Sequence, residues 1–61
     1  MIFSDEQKLQ ICLREIKKRE WVYSGQVTKG KMSQAQMNYE IEGMKAIADD
    51  YRKKVEEGRL I

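Results

Sequence analysis

Apolar side chains recur along this chain at the spacing of a helical face, and they do so twice. Leu9, Cys12, Leu13, Ile16, Tyr23 and Val27 form one stripe, and Met37, Ile41, Met44, Ala48, Tyr51 and Val55 form a second. Each set returns every three or four residues, which places it on one side of an α-helix and leaves polar residues on the other. The pattern predicts an all-α, antiparallel two-helix hairpin occupying residues 1–61 as a single domain.

Local signals place the helix ends. Ser4-Asp5-Glu6-Gln7 reads as an N-cap, acids in the first turn, and glutamine at the third position: a capping box. The first helix is predicted from residue 5 to residue 29, with a weak point or kink at Ser24-Gly25, because a helical glycine costs about 1 kcal/mol relative to alanine. Gly30 is the natural residue to take positive φ after the helix. The turn spans residues 30–33, and Ser33-Gln34-Ala35-Gln36 is a second capping box. Met32 and Met37 have the spacing of a hydrophobic staple across it. The second helix is predicted over 34–57, with Gly58 as its stop signal. Gly43 interrupts that helix, either as a tolerated weak point or where another backbone comes close.

Length then changes the picture. In a chain of 61 residues a single core barely offsets chain entropy. Two helices cover only one side of each other, so the hairpin is expected to complete its core by self-association as a homodimer or a larger helical-bundle oligomer. Charge favours pairing modestly. Residues 1–31 carry seven Lys/Arg against four Asp/Glu, and residues 32–61 carry five against six. Each exposed pair is worth under about 1 kcal/mol.

Composition narrows the chemistry. The chain has no histidine and one cysteine, Cys12, so neither a thiol–imidazole pair nor a zinc site can be assembled within one copy. Cys12 reads as a core residue. The acids Glu40, Glu42, Asp49, Asp50, Glu56 and Glu57 lie on a solvated helix face and fit no calcium loop. Phosphate-binding glycine loops and nucleophile elbows are missing. The expectation is a non-enzymatic protein with no cofactor and no metal. No stretch reaches membrane-spanning length and the start lacks the character of a signal peptide, so a cytoplasmic location with no membrane partner is expected.

The most suggestive surface is the outer side of the first helix. Arg14, Lys17, Lys18 and Trp21 fall within about a third of a turn, away from Leu9 and Ile16. Cations beside an indole can take a nucleotide, folded RNA or another planar anion. The plainer reading is a solvated basic face with Trp21 lying on lysine stems or at a subunit contact. Ile11 and Val22 on this helix, and Tyr39 with Ala35, Gly43 and Ala46 on the other, also lie off the main stripes, which suggests more than one protein contact. A DNA-binding helix-turn-helix needs a shorter, more steeply crossed pair.

The middle of the chain carries a resemblance. It runs Arg14-Glu15-Ile16, Arg19-Glu20-Trp21-Val22-Tyr23, Val27-Thr28-Lys29-Gly30-Lys31-Met32-Ser33-Gln34-Ala35 and Glu40-Ile41-Glu42-Gly43-Met44-Lys45-Ala46-Ile47. It resembles small helical hairpin proteins encoded by bacteriophages and prophages, mostly of unassigned function. Their pattern is a basic helix ending in Val-Tyr, a Gly-Lys-Met-Ser/Thr turn, and a helix with a Met-x-Ala-Ile core. Those proteins often have proline after the tyrosine, where this chain has Ser24. The resemblance covers roughly residues 9–51 and assigns no functional residue. It implies a viral accessory protein in the host cytoplasm that acts by binding, inhibiting a host enzyme, disarming a defence component or sequestering a signalling molecule.

Overall fold

The computed structural model describes residues 2–59. It is an antiparallel hairpin of α1, Asp5–Thr28, and α2, Gln34–Arg59, and the two helices pack against each other along their length. The all-α hairpin expected from the two stripes is the fold observed.

Both capping predictions at the start and end of α1 hold in atomic detail. The Ser4 hydroxyl accepts from the Gln7 N–H at 3.1 Å, and the Ser4 N–H donates back to Gln7 Oε1 at 2.9 Å. Asp5 and Glu6 occupy the first turn, where the partial positive charge of the helix end favours them. At the other end Lys29 is the C-cap and Gly30 takes φ of 76°. The Gly30 N–H donates to the Val27 carbonyl and the Lys31 N–H to the Gln26 carbonyl. That pair of bonds is the Schellman motif, which satisfies carbonyls that the helix leaves open. Gly30 supplies the left-handed conformation it requires.

The second capping box forms by half. Ser33 Oγ accepts from the Gln36 N–H at 3.0 Å, but no reciprocal bond from the Gln36 side chain is present. Met32 and Met37 are both part-buried, as the staple spacing requires.

Two boundary expectations differ from the structure. α1 runs without a break through Ser24-Gly25. Ser24 Oγ donates to the Glu20 carbonyl and Thr28 Oγ1 to the Ser24 carbonyl, so both hydroxyls bond back along the helix. α2 continues through Gly58 to Arg59 rather than stopping at 57, because Gly58 keeps right-handed backbone angles. The rest of the predicted tail, Leu60 and Ile61, lies outside the described residues.

Every residue of both predicted stripes is at least part-buried. Only Ile16, Ile41 and Ala48 are buried outright, with Ala48 2% exposed. Toward the open end Tyr51 sits beneath two ammonium groups, Lys8 at 5.6 Å and Lys54 at 5.5 Å from its ring centre. Arg59 reaches Glu6 at 3.9 Å. In mid-helix the apolar stripe of α1 skips a turn, and Arg19 beside the gap is part-buried. It donates to Glu15 at 2.6 Å. This bond, then the Glu15 charge and Tyr23, hold the Arg19 guanidinium pKa above its ordinary value against a smaller opposing cost of desolvation.

The molecule is a single layer, 48 × 22 × 14 Å. Its thinnest dimension is close to the about 10–12 Å of one helix with side chains. The radius of gyration is 14.2 Å, against about 10 Å for a compact chain of this length. Globular domains bury their helix faces between at least two layers, and here the second layer is missing.

Candidate interaction surface

The outer face of α1 lies opposite its core stripe. Helical spacing brings Ile11, Arg14, Lys18, Trp21, Val22 and Gly25 to it, with Lys17 at its margin. Trp21 is 81% exposed. No lysine or arginine stands over its ring among the described residues, whose only cation–aromatic contacts are those to Tyr51. The expectation that lysine stems cover the indole is not met. Arg14, Lys17 and Lys18 make no ion pair among the described residues; the pairs present are Arg19–Glu15, Arg52–Asp49 and Arg59–Glu6. The face therefore combines unneutralised cations with a large uncovered aromatic.

These residues form a strip, not a cavity. Trp21 lines a shallow groove with Val22, Gly25 and Thr28, near the turn. Arg14 and Lys17 line a separate one with Leu13 and Glu20. Phe3, Ile11 and Arg14 border a third at the opposite end. No arrangement here encloses a small ligand on several sides.

Tyr39, the fifth predicted residue, is 78% exposed and belongs to the other edge of the layer. It borders a shallow depression with Glu42, Gly43 and Ile47 on α2. Within one chain the structure does not bring Tyr39 and Trp21 together. Sequence reasoning passed over Ile47, exposed beside Gly43, and Phe3, whose position before the helix start hid its place beside Ile11.

Gly43 itself has open space above it: an added Cβ would meet nothing within 4 Å, and the same is true at Gly25. Neither glycine is demanded by packing inside this hairpin. Cys12 is a part-buried free thiol. Among the described residues no group of three or more Cys, Asp or Glu is placed to hold a metal ion, and no helix is long and apolar enough to cross a membrane.

Comparison with known protein families, curated proteins and solved structures returns no match.

Proposed function

We propose that this chain is a non-enzymatic accessory protein of the phage type, resident in the host cytoplasm, that acts by protein–protein interaction through the outer face of α1, inhibiting a host enzyme or defence component. The observation that carries the reading is Trp21, 81% exposed and flanked by cations without ion-pair partners. Tryptophan and arginine are the residue types that most often anchor protein interfaces. A strip without concavity suits a macromolecular surface better than a small molecule, which takes a pocket burying most of its area. The sequence resemblance to phage-encoded hairpins supports the cellular setting, and the surplus of cations along this strip favours a partner with an acidic surface.

The test compares capture of bacterial lysate proteins by the wild type and by Trp21→Ala. A specific partner retained by the wild type, lost with Trp21→Ala and weakened by Arg14→Ala or Lys18→Ala, is expected. Circular dichroism of the variants should match the wild type. Equal capture by the wild type and Trp21→Ala would remove the face from the interface.

A second reading is favoured by the same cations: an oligomer that binds a nucleotide signal or RNA, with bases stacked on Trp21. Affinity should then fall steeply with salt through counterion release. A flat salt response would exclude it.

A further inference from the structure

The two outer edges of the layer differ in charge and shape in a complementary way. The α1 edge presents Arg14 and Lys18 around the protruding Trp21, with Lys17 at one margin and Glu15, paired with Arg19, at the other. The α2 edge, opposite its own core stripe, presents Glu42, Asp50 and Glu57 with Lys53, and Asp49 and Lys54 lie at its margins. Ala35, Gly43 and Ala46 make that edge low, and Tyr39 and Ile47 border the depression over Gly43.

Register links them further. Lys8 reaches Tyr51 and Glu6 reaches Arg59 across the hairpin. Counting equal rises from those cross-pairs puts Trp21 level with Tyr39–Gly43, Lys18 level with Glu42, and Arg14 near the level of Asp50. A neighbouring copy rotated about an axis parallel to the helices would keep these heights. It would bring its α2 edge against the α1 edge with cation facing acid and indole facing glycine.

The exposed area fits the same conclusion. The chain exposes 5066 Å², whereas a compact monomer of its mass exposes about 4,100 Å². The excess, about 900 Å², is shared by the two edges that each copy uses. Each contact therefore draws on about 450 Å² per partner, the size of a weak, concentration-dependent interface rather than a standard one of about 800 Å².

We infer that the occupant of the α1 outer face in the free protein is a second copy of this chain, docked by its α2 outer edge, with Trp21 seated over Gly43 between Tyr39 and Ile47. The contact is head-to-tail: each copy uses one edge to hold its neighbour and offers the other. Copies related this way close into a ring when the rotation divides the circle and otherwise continue as a stack. Gly43, unused by packing within the hairpin, is then explained by the close approach of the indole. The inference rests on reading this face as an interaction surface and adds the identity of its resting partner.

The test is sedimentation of the whole chain from about 10 μM to about 1 mM, a range that reveals micromolar to millimolar association. The wild type should exceed the single-chain mass of 7.2 kDa with rising concentration, less so at high salt. An α1-edge variant, Arg14→Glu with Lys18→Glu, and an α2-edge variant, Glu42→Lys with Asp50→Lys, should each stay monomeric while keeping wild-type helicity. An equimolar mixture of the two should regain assembly, because each then meets a complementary edge. Gly43→Ala should raise the thermal stability of the dilute hairpin and weaken assembly at least tenfold. A wild type that is monomeric throughout overturns the inference; if Trp21→Ala still abolishes host capture, the proposed function stands without it. Assembly by either charge-reversed variant alone, a mixture that stays monomeric, or undiminished assembly of Gly43→Ala would equally overturn it. Assembly as described but no Trp21-dependent host capture would keep the inference and remove the host partner.

Discussion

Replacing Ile16 with alanine puts the central packing of the hairpin to the test. Ile16 is 7% exposed and borders the same groove as Ala48, the most covered residue described. The substitution removes three carbons, and at about 0.8 kcal/mol for each buried methylene the loss is about 2.4 kcal/mol. A closed core adds a cavity penalty that brings isoleucine-to-alanine changes to about 2–5 kcal/mol. Here the groove opens to solvent on its flank and cannot hold an empty cavity, so the lower end applies, near 2.5 kcal/mol. A chain of this length has roughly 3–9 kcal/mol of stability in total, and a single layer stands at the bottom of that range. Thermal melting followed at the helical circular dichroism band should therefore fall by about 10–20 °C, at about 4–8 °C per kcal/mol for small domains. Ile47→Ala is the control. Ile47 is 45% exposed, and in dilute solution its loss should cost about 1.3 kcal/mol, about half as much. If Ile16→Ala and Ile47→Ala shifted the melt equally, the division into core stripe and outer face would be wrong.

Further expectations concern the helix ends and the exposed strip. Gly30→Ala should destabilise the hairpin by about 1–2 kcal/mol in urea unfolding, since φ of 76° is costly for a residue with a Cβ. Gly58→Ala should be neutral or mildly stabilising by the same measurement, because its backbone is helical and open space surrounds it. Ser33→Ala removes the acceptor of the Gln36 N–H and should cost about 1 kcal/mol, with Thr at that position recovering most of it. Trp21→Ala should leave dilute-solution stability within about 0.5 kcal/mol, as surface substitutions do. Helicity followed by circular dichroism should show no step between about pH 6 and pH 8, where histidine is the only side chain that ordinarily titrates and the chain has none. The raised Arg19 pKa marks a contact that favours the folded chain at neutral pH and is lost on the alkaline side only as strongly alkaline conditions are reached.

Much of the fold was legible because the signals were redundant. Both apolar stripes are confirmed residue by residue as the covered faces, and Gly30 had both its position after the last apolar residue and a following cap at Ser33 to mark it. Gly58 misled because glycine is only permissive of positive φ. Here its backbone angles stay right-handed and the helix continues through it. At Ser24-Gly25 the sequence left both a kink and a continuous helix open, and α1 is continuous there, with Ser24 and Thr28 bonded back to carbonyls within it. Periodicity also could not reveal that Arg19, a charged residue beside the missing turn of the stripe, is part-buried and held by its bond to Glu15. At the candidate surface, helical spacing grouped Arg14, Lys17, Lys18 and Trp21 correctly on one side. It could not show that they border separate grooves, since groove shape depends on rotamers and on neighbours such as Phe3. Tyr39 was assigned to a second face, and it lies there, across the layer from Trp21.

The central claim is that one hairpin, one helix thick, leaves apolar surface that a second copy covers. The dependence of melting temperature on protein concentration tests this most directly, because anything that binds only the folded chain raises its stability by mass action. The melting temperature of the wild type should climb steadily with each tenfold increase in concentration, and that climb should vanish in the Arg14→Glu, Lys18→Glu variant. A cooperative melt at the same temperature across the whole range, with the mass of a single chain throughout, would contradict the account.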